Sequence, residues 1–258
     1  MVTGASSGLG AAMARQLAEA GYRVALLARR EDALQEVCRG LSGTGHLVVP
    51  CDLTDFASIA AAMARVEQAF GGLDVLVNNA GIGYRALVEE LDPEHLRKVF
   101  DTNVFGMLLC CQGALPLLRK GLRPVVINVS SVVGRRGIPG QAAYSASKAA
   151  ASSIGEALRV EWAGEDIAVC TLNPALTATG FFQAQANPSG LPDPDLSRAE
   201  SAERVAQWVL RLDKKPRREV YLRSKWRWLS VLSVAWPALA DRLLVQRLGG
   251  GWQRPRRF

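Results

Sequence analysis

Six short aliphatic runs recur along this chain, each separated from the next by a longer stretch with helical spacing, and this alternation restricts the fold more than any other feature. Arg23–Ala28, Leu47–Cys51, Val75–Val77, Val125–Val129, Ala168–Leu172 and Glu219–Leu222 read as strands. Three lack the polar alternation of a half-exposed strand, as expected when helices cover both faces of a parallel sheet. Between them Leu9–Ala20, Ala33–Leu41, Ala57–Phe70, Glu94–Arg119, Tyr144–Ala163 and Ala202–Leu212 have the length and apolar spacing of helices. Ser201 suits the N-cap of the last one, with Glu203 in its first turn. Asn187–Leu196, holding Asn-Pro-Ser-Gly and Pro-Asp-Pro-Asp, reads as a loop. The pattern predicts the α/β class: a doubly wound parallel sheet in one domain over residues 1–222, then a C-terminal helical tail over 223–258.

Bulk properties narrow the function classes. The 258 residues can bury a large core, and 49% hydrophobic with 21% charged residues excludes global disorder. Five cysteines without a CxxC pair, and only His46 and His95, predict reduced thiols and no metal site. The net charge of +7 is uneven: from Ser201 onward 14 Lys/Arg face 4 Asp/Glu, whereas residues 1–200 carry 17 against 20. A near-neutral body with a basic tail does not suit a nucleic-acid partner. No secretory signal is visible, and no apolar run approaches the roughly 20 residues that span a bilayer, so a cytoplasmic location is expected, with the membrane periphery left open. Met1-Val2-Thr3 leaves little room for a strand before the first turn. A shortened first strand is therefore expected, with an N-terminal anchor left open.

That first turn, Thr3-Gly4-Ala5-Ser6-Ser7-Gly8-Leu9-Gly10, opens a helix. Glycines there tolerate positive φ and leave no Cβ to obstruct a pyrophosphate, while the helix N-terminus presents free N–H groups to an anion. Three glycines also suit a plain tight turn, so the rest of the chain must decide. The next strand ends Ala28-Arg29-Arg30. An NAD-preferring site places an acidic side chain near this end for the ribose 2′-hydroxyl, whereas a guanidinium suits a 2′-phosphate. NADP(H) is therefore expected over NAD(H), with Arg29 the favoured contact. The bland alternative is a pair of solvated arginines.

Three separated pieces carry the chemistry. Asn103 lies within the long helical stretch, Ser131 follows the run Val125–Val129, and Tyr144 stands four residues before Lys148. Spacing of four puts Tyr144 and Lys148 on one helix face. A phenol titrates near pH 10 by itself, and a neighbouring ammonium lowers that value by favouring the anion. Each residue alone has an ordinary structural explanation; their co-occurrence makes the case.

Together these motifs resemble the short-chain dehydrogenase/reductase family in its compact, single-domain Rossmann-type form. The resemblance runs from Thr3 to about Leu222. It rests on the Thr-Gly-x-x-x-Gly-x-Gly turn, on Asn78-Asn79-Ala80-Gly81, on Tyr144-x-x-x-Lys148, and on Ser131 thirteen residues before Tyr144. It implies hydride transfer between nicotinamide and a carbonyl/alcohol pair on a small-molecule substrate. Tyr144 would be the general acid/base and Lys148 would lower its pKa while binding the nicotinamide ribose. Ser131 would position the carbonyl, with Ser130 the neighbour most easily mistaken for it. Asn103 would hold a water in a proton relay. Implied cofactor contacts are Gly4, Ser6, Ser7, Gly8, Leu9, Gly10, Arg29, Asp52, Leu53, Asn79, Ala80, Gly81, Tyr144, Lys148, Pro174, Thr177 and Thr179. Family members are usually homodimers or homotetramers. One departure is Asn173-Pro174-Ala175, where the family commonly has Pro-Gly.

After Leu222, Trp226, Trp228 and Trp236 interleave with Arg223, Lys225 and Arg227. Pro237 is expected to break one helix and open a second that stops at Gly249-Gly250-Gly251, with Leu229, Leu232, Trp236 and Leu239 on roughly one face. A lid or packing element is the favoured reading of this tail, and peripheral membrane contact the other. An apolar tail near a cleft points to a lipophilic substrate. Two competing functions are an epimerase or dehydratase, disfavoured by the short chain, and an idle nucleotide-sensing or scaffold protein, disfavoured by the full set of Asn103, Ser131, Tyr144 and Lys148.

Overall fold

A computed structural model describes residues 1–252, with side chains to Gln246. Seven parallel strands form one sheet in the order β3-β2-β1-β4-β5-β6-β9. They are β1 (Val2–Thr3), β2 (Ala25–Ala28), β3 (Leu47–Pro50), β4 (Val75–Asn78), β5 (Val125–Val129), β6 (Ala168–Asn173) and β9 (Glu219–Tyr221). The minimal β1 still takes the centre, with Val2 opposite Leu26 on one side and Val77 on the other. A two-stranded pair, β7 (Thr177–Ala178) with β8 (Glu200–Ser201), stands apart from the main sheet.

Side chains that alternate along each strand feed two cores, as a pleated strand requires. Leu26, Val77 and Ile127 pack on one face with α1 (Gly8–Glu19), α2 (Glu31–Arg39) and α8 (Ala202–Lys214), through Leu17, Leu34 and Val205 among others. Leu27, Leu76 and Val126 point the other way. They meet Ile59 of α3 (Phe56–Phe70), Leu117 of α5 (Met107–Leu118) and Leu158 of α6 (Ala142–Glu161). Ser201 caps α8 by accepting a hydrogen bond from the Arg204 N–H at 3.2 Å.

Three local expectations are corrected. Glu94–Arg119 is not one regular helix: α4 (Pro93–Phe100) runs into a π-helical turn, Asp101–Gly106, before α5. Such widened turns insert one extra residue per turn and change which side chains face inward. The tail forms α9 (Ser224–Ala235) and α10 (Pro237–Trp252), so α10 passes through Gly249–Gly251 rather than stopping there. Leu229, Leu232, Trp236 and Leu239 do not line one surface: Leu229 and Leu232 border the cleft described below, whereas Trp236 and Leu239 do not, and the chain bends by 120° between the two helices. Residues 253–258 of the tail lie outside the described residues.

Candidate active site

Successive strands run outward from β1 in one direction to β3 and from β4 in the other to β9. Loops leaving the C-terminal ends of β1 and β4 therefore diverge, and open parallel sheets bind ligands in that crevice. A cleft of about 1430 Å³ opens there.

Its first half is built by close backbone approach. Gly4 and Gly8 have φ of +65° and +53°, in the left-handed region that favours glycine. A Cβ on Gly10 would stand 2.2 Å from the Gly4 carbonyl oxygen and 2.5 Å from Asn79 Nδ2. Asn79 braces the turn from β4, its Nδ2 donating to the Thr3 carbonyl oxygen at 3.0 Å. The Asn79 and Ala80 N–H groups donate to Thr3 Oγ1 at 3.1 and 3.0 Å. Ser7 forms no side-chain cap on α1, and no acidic residue occupies the first turn. Exposed N–H groups, positive dipole character and missing Cβ atoms are what a dinucleotide pyrophosphate needs, and this cradle fits one.

Ala28 closes β2, and the exposed Arg29 and Arg30 follow at the cleft wall. Arg30 Nη2 donates to Ser6 Oγ at 3.4 Å, tying this corner to the glycine turn. Asp52 and Leu53 line the same region, and Asp52 Oδ1 accepts from the Thr54 N–H and hydroxyl, both at 2.9 Å.

The second half carries titratable groups. Ser131, extended after β5, accepts from the Val133 N–H at 3.3 Å and donates to the Pro174 carbonyl oxygen at 3.4 Å. Ser130 turns into the core, donating to the Lys148 carbonyl oxygen at 2.8 Å with Ser152 Oγ 2.9 Å away. The two serines are therefore not interchangeable. Tyr144 and Lys148 both reach the cleft from α6. Lys148 Nζ donates to the Val129 carbonyl oxygen at 2.8 Å, and burial lowers its pKa to about 8. Burial raises the Tyr144 phenol well above its ordinary value, and the hydrogen bond with Ser131 offsets part of that rise. The phenol is thus a neutral acid at physiological pH.

Asn103 stands behind the cleft rather than on its wall. Its Oδ1 accepts from the Ile82 N–H at 2.8 Å, and its Nδ2 donates to the Ile82 carbonyl oxygen and to Ser147 Oγ, both at 3.0 Å. The π turn carries Asn103 to this buried position. Gly81 separates it from Lys148: a Cβ there would lie 3.2 Å from Asn103 Oδ1 and 3.3 Å from Lys148 Nζ. Gly4, Ser6, Ser7, Gly8, Leu9, Gly10, Asn79, Ala80, Gly81, Pro174, Thr177 and Thr179 all border the one cleft.

Sequence reasoning did not single out several wall residues. Phe181, in the short helix α7 (Phe181–Ala184), packs 5.5 Å from the Tyr144 ring by centroids. Ile138, Gln141 and Arg136 contribute from the loop before α6. No periodicity marks Phe181, Ile138, Gln141 and Arg136, because they come from loops and from a four-residue helix. Trp226, Leu229 and Leu232, which the sequence does mark in the tail, join them from α9. On α9 the cleft-lining Trp226, Leu229, Ser230 and Ser233 fall at i, i+3, i+4 and i+7, but two of them are serines, so no apolar stripe marks that side.

Residues 1–189 match the family described as short chain dehydrogenase. The chain is 33% identical over 260 residues to dehydrogenase/reductase SDR family member 7B of Bos taurus, covering 96% of this chain and 80% of that protein. Its fold is similar to that of 3-ketoacyl-(acyl-carrier-protein) reductase from Brucella melitensis complexed with NADH (TM-score 0.74, 30% identity, 81% of this chain and 88% of that one). It is also similar to alcohol dehydrogenase from the archaeon Thermococcus sibiricus complexed with 5-hydroxy-NADP (TM-score 0.75, 28% identity, 85% and 93%). The chain belongs to the short-chain dehydrogenase/reductase family, oxidoreductases that act with a nicotinamide cofactor.

Proposed function

We propose that this protein is an NADP(H)-dependent carbonyl reductase or alcohol dehydrogenase acting on a lipophilic ketone/aldehyde–alcohol pair. One observation carries the reading: Ser131, Tyr144 and Lys148 open onto the same cleft as the glycine cradle. The preference for NADP(H) rests on Ala28, where an acidic residue would serve a free ribose, and on the adjoining Arg29 and Arg30. Solved relatives hold either kind of nucleotide, so this chain's own residues must support the choice.

A dinucleotide held at its pyrophosphate by the glycine cradle would bring the chemistry of its nicotinamide, gain or loss of a hydride at the carbonyl carbon, to the Ser131–Tyr144 end of the cleft. Ser131 Oγ, anchored beside Pro174, orients the carbonyl oxygen toward Tyr144. In reduction Tyr144 Oη passes its proton to that oxygen, and in oxidation the phenolate takes one back. Lys148, charged below its pKa of about 8, stabilises the phenolate left behind. Phe181 and the apolar wall of α9 exclude water from the reacting atoms and match an apolar substrate body.

Thermal-shift and fluorescence titrations with NADPH and NADH test the cofactor assignment. NADPH should stabilise the protein more than NADH, and Arg29→Ala should erase the difference. Equal responses to both nucleotides in the parent protein would refute the preference, and no response to either would refute the oxidoreductase reading.

A further inference from the structure

We propose that α9 and α10 dock on an anionic lipid bilayer and that the cleft takes its substrate from that surface. The part concerning substrate rests on the function proposed above, whereas the docking surface stands on its own.

The two helices have two working sides. Trp226, Leu229, Ser230 and Ser233 face the cleft, joined by Ala240, Leu243 and Leu244 of α10. None of the outward residues Trp228, Val231, Val234, Trp236 and Leu239 lines it. Among the described residues these outer side chains have no partner that buries them: Trp228 is 71% exposed, Val234 78% and Trp236 61%. Helices apolar on both sides need an apolar neighbour on both. The cleft provides one, and a lipid surface suits the other.

Charge identifies the kind of surface. Residues 223–258 contain eight Lys/Arg and one Asp, a local excess equal to the chain's whole net charge of +7. Lys225 and Arg227 of α9 and Arg242 of α10 are exposed on the same two helices as the outward tryptophans. Cations interleaved with tryptophan match the headgroup boundary of an anionic leaflet, where indole sits at the interface and basic groups meet lipid phosphates. No single helix among the described residues is long and apolar enough to cross a membrane; Ser224–Ala235 and Pro237–Gln246 reach that length and hydropathy only as a pair bent by 120°. The contacts of both helices with the cleft favour a pair lying along the surface. The Arg136–Asp241 and Arg223–Glu200 ion pairs hold this helical pair on the body beside the cleft. A lipophilic ketone or alcohol partitioned in the bilayer would then meet the apolar inner wall without crossing water.

Co-sedimentation of the full chain with vesicles of phosphatidylcholine alone, or mixed with phosphatidylglycerol, tests this. The parent protein should bind the anionic vesicles, weakening as salt rises. Lys225→Gln with Arg227→Gln should lower the partition coefficient about 25-fold, at roughly fivefold per charge. Trp228→Ser with Trp236→Ser should also release the protein while leaving turnover of a water-soluble ketone unchanged. Tyr144→Phe should bind vesicles like the parent, which separates failure of docking from failure of the proposed reaction. Absence of the parent from the anionic pellet, or binding undiminished in both double variants, overturns the proposal. So does a shift from dimer to monomer in light scattering caused by the tryptophan substitutions, because a second copy would then cover this face.

Discussion

Lys148 Nζ lies 5.8 Å from the centre of the Tyr144 ring and is held 2.8 Å from the Val129 carbonyl oxygen. Burial brings the Lys148 pKa from 10.5 down to about 8, so the folded chain binds fewer protons than the unfolded chain between these values. Stability due to this group must rise with pH across that window. At pH 7 the buried charge is a net cost. Lys148→Met should therefore stabilise the protein by about 2 kcal/mol at pH 7, after allowing for the lost hydrogen bond to Val129. The advantage should shrink between pH 8 and 10.5, and activity should fall at least about 100-fold. Denaturant unfolding of parent and variant at several pH values checks this; a destabilised variant at pH 7 would contradict it.

Gly10 and Gly8 should respond differently to alanine. At Gly10 the new Cβ would meet the Gly4 carbonyl oxygen, backbone that cannot step aside, and the expected loss is about 2–4 kcal/mol with nucleotide binding abolished. At Gly8 the nearest atom is Thr179 Cβ at 3.5 Å, ordinary contact, so only the positive φ is penalised, at about 1–2 kcal/mol. Thermal unfolding with and without NADPH measures both.

The adjoining serines should separate stability from chemistry. Ser130→Ala removes a buried hydroxyl bonded to the Lys148 carbonyl oxygen and should cost about 1–3 kcal/mol. Ser131→Ala should leave stability nearly unchanged but lower kcat about 100-fold. Parallel unfolding and rate measurements decide; the reverse assignment would place the polarising hydroxyl on Ser130.

Placing a carboxylate at the end of β2 should invert nucleotide choice. Ala28→Asp would repel a 2′-phosphate beside Arg29 and Arg30 while accepting a hydrogen bond from a free ribose. NADPH affinity should fall about 10- to 100-fold and NADH affinity should rise, as read by isothermal titration.

Most of the sheet was readable because its strands are buried on both faces, which leaves uninterrupted aliphatic runs such as Val125–Val129. Strand ends were less so: the run proposed from Arg23 pairs only from Ala25. Fixed spacings made the site legible, since Tyr144 and Lys148 are neighbours on one helix and Ser131 directly follows a strand. The π turn at Asp101–Gly106 was not legible, because the local spacing reads as an ordinary helix and the turn's Asn103 bonds to Ile82, 21 residues distant in sequence. Nor was the run of α10 through three glycines, where intrinsic preference argues for a stop and the structure continues the helix. Walls such as Phe181 and Ile138 depend on how loops return to the sheet, which local sequence does not encode.

The most direct test of the central claim is NADPH oxidation with a panel of lipophilic ketones, run on the parent protein and on Tyr144→Phe. The account predicts turnover by the parent, a loss of at least about 100-fold in kcat for the variant, and unchanged NADPH affinity. Equal turnover by both proteins would contradict it, because the proton would then come from a group other than the Tyr144 phenol.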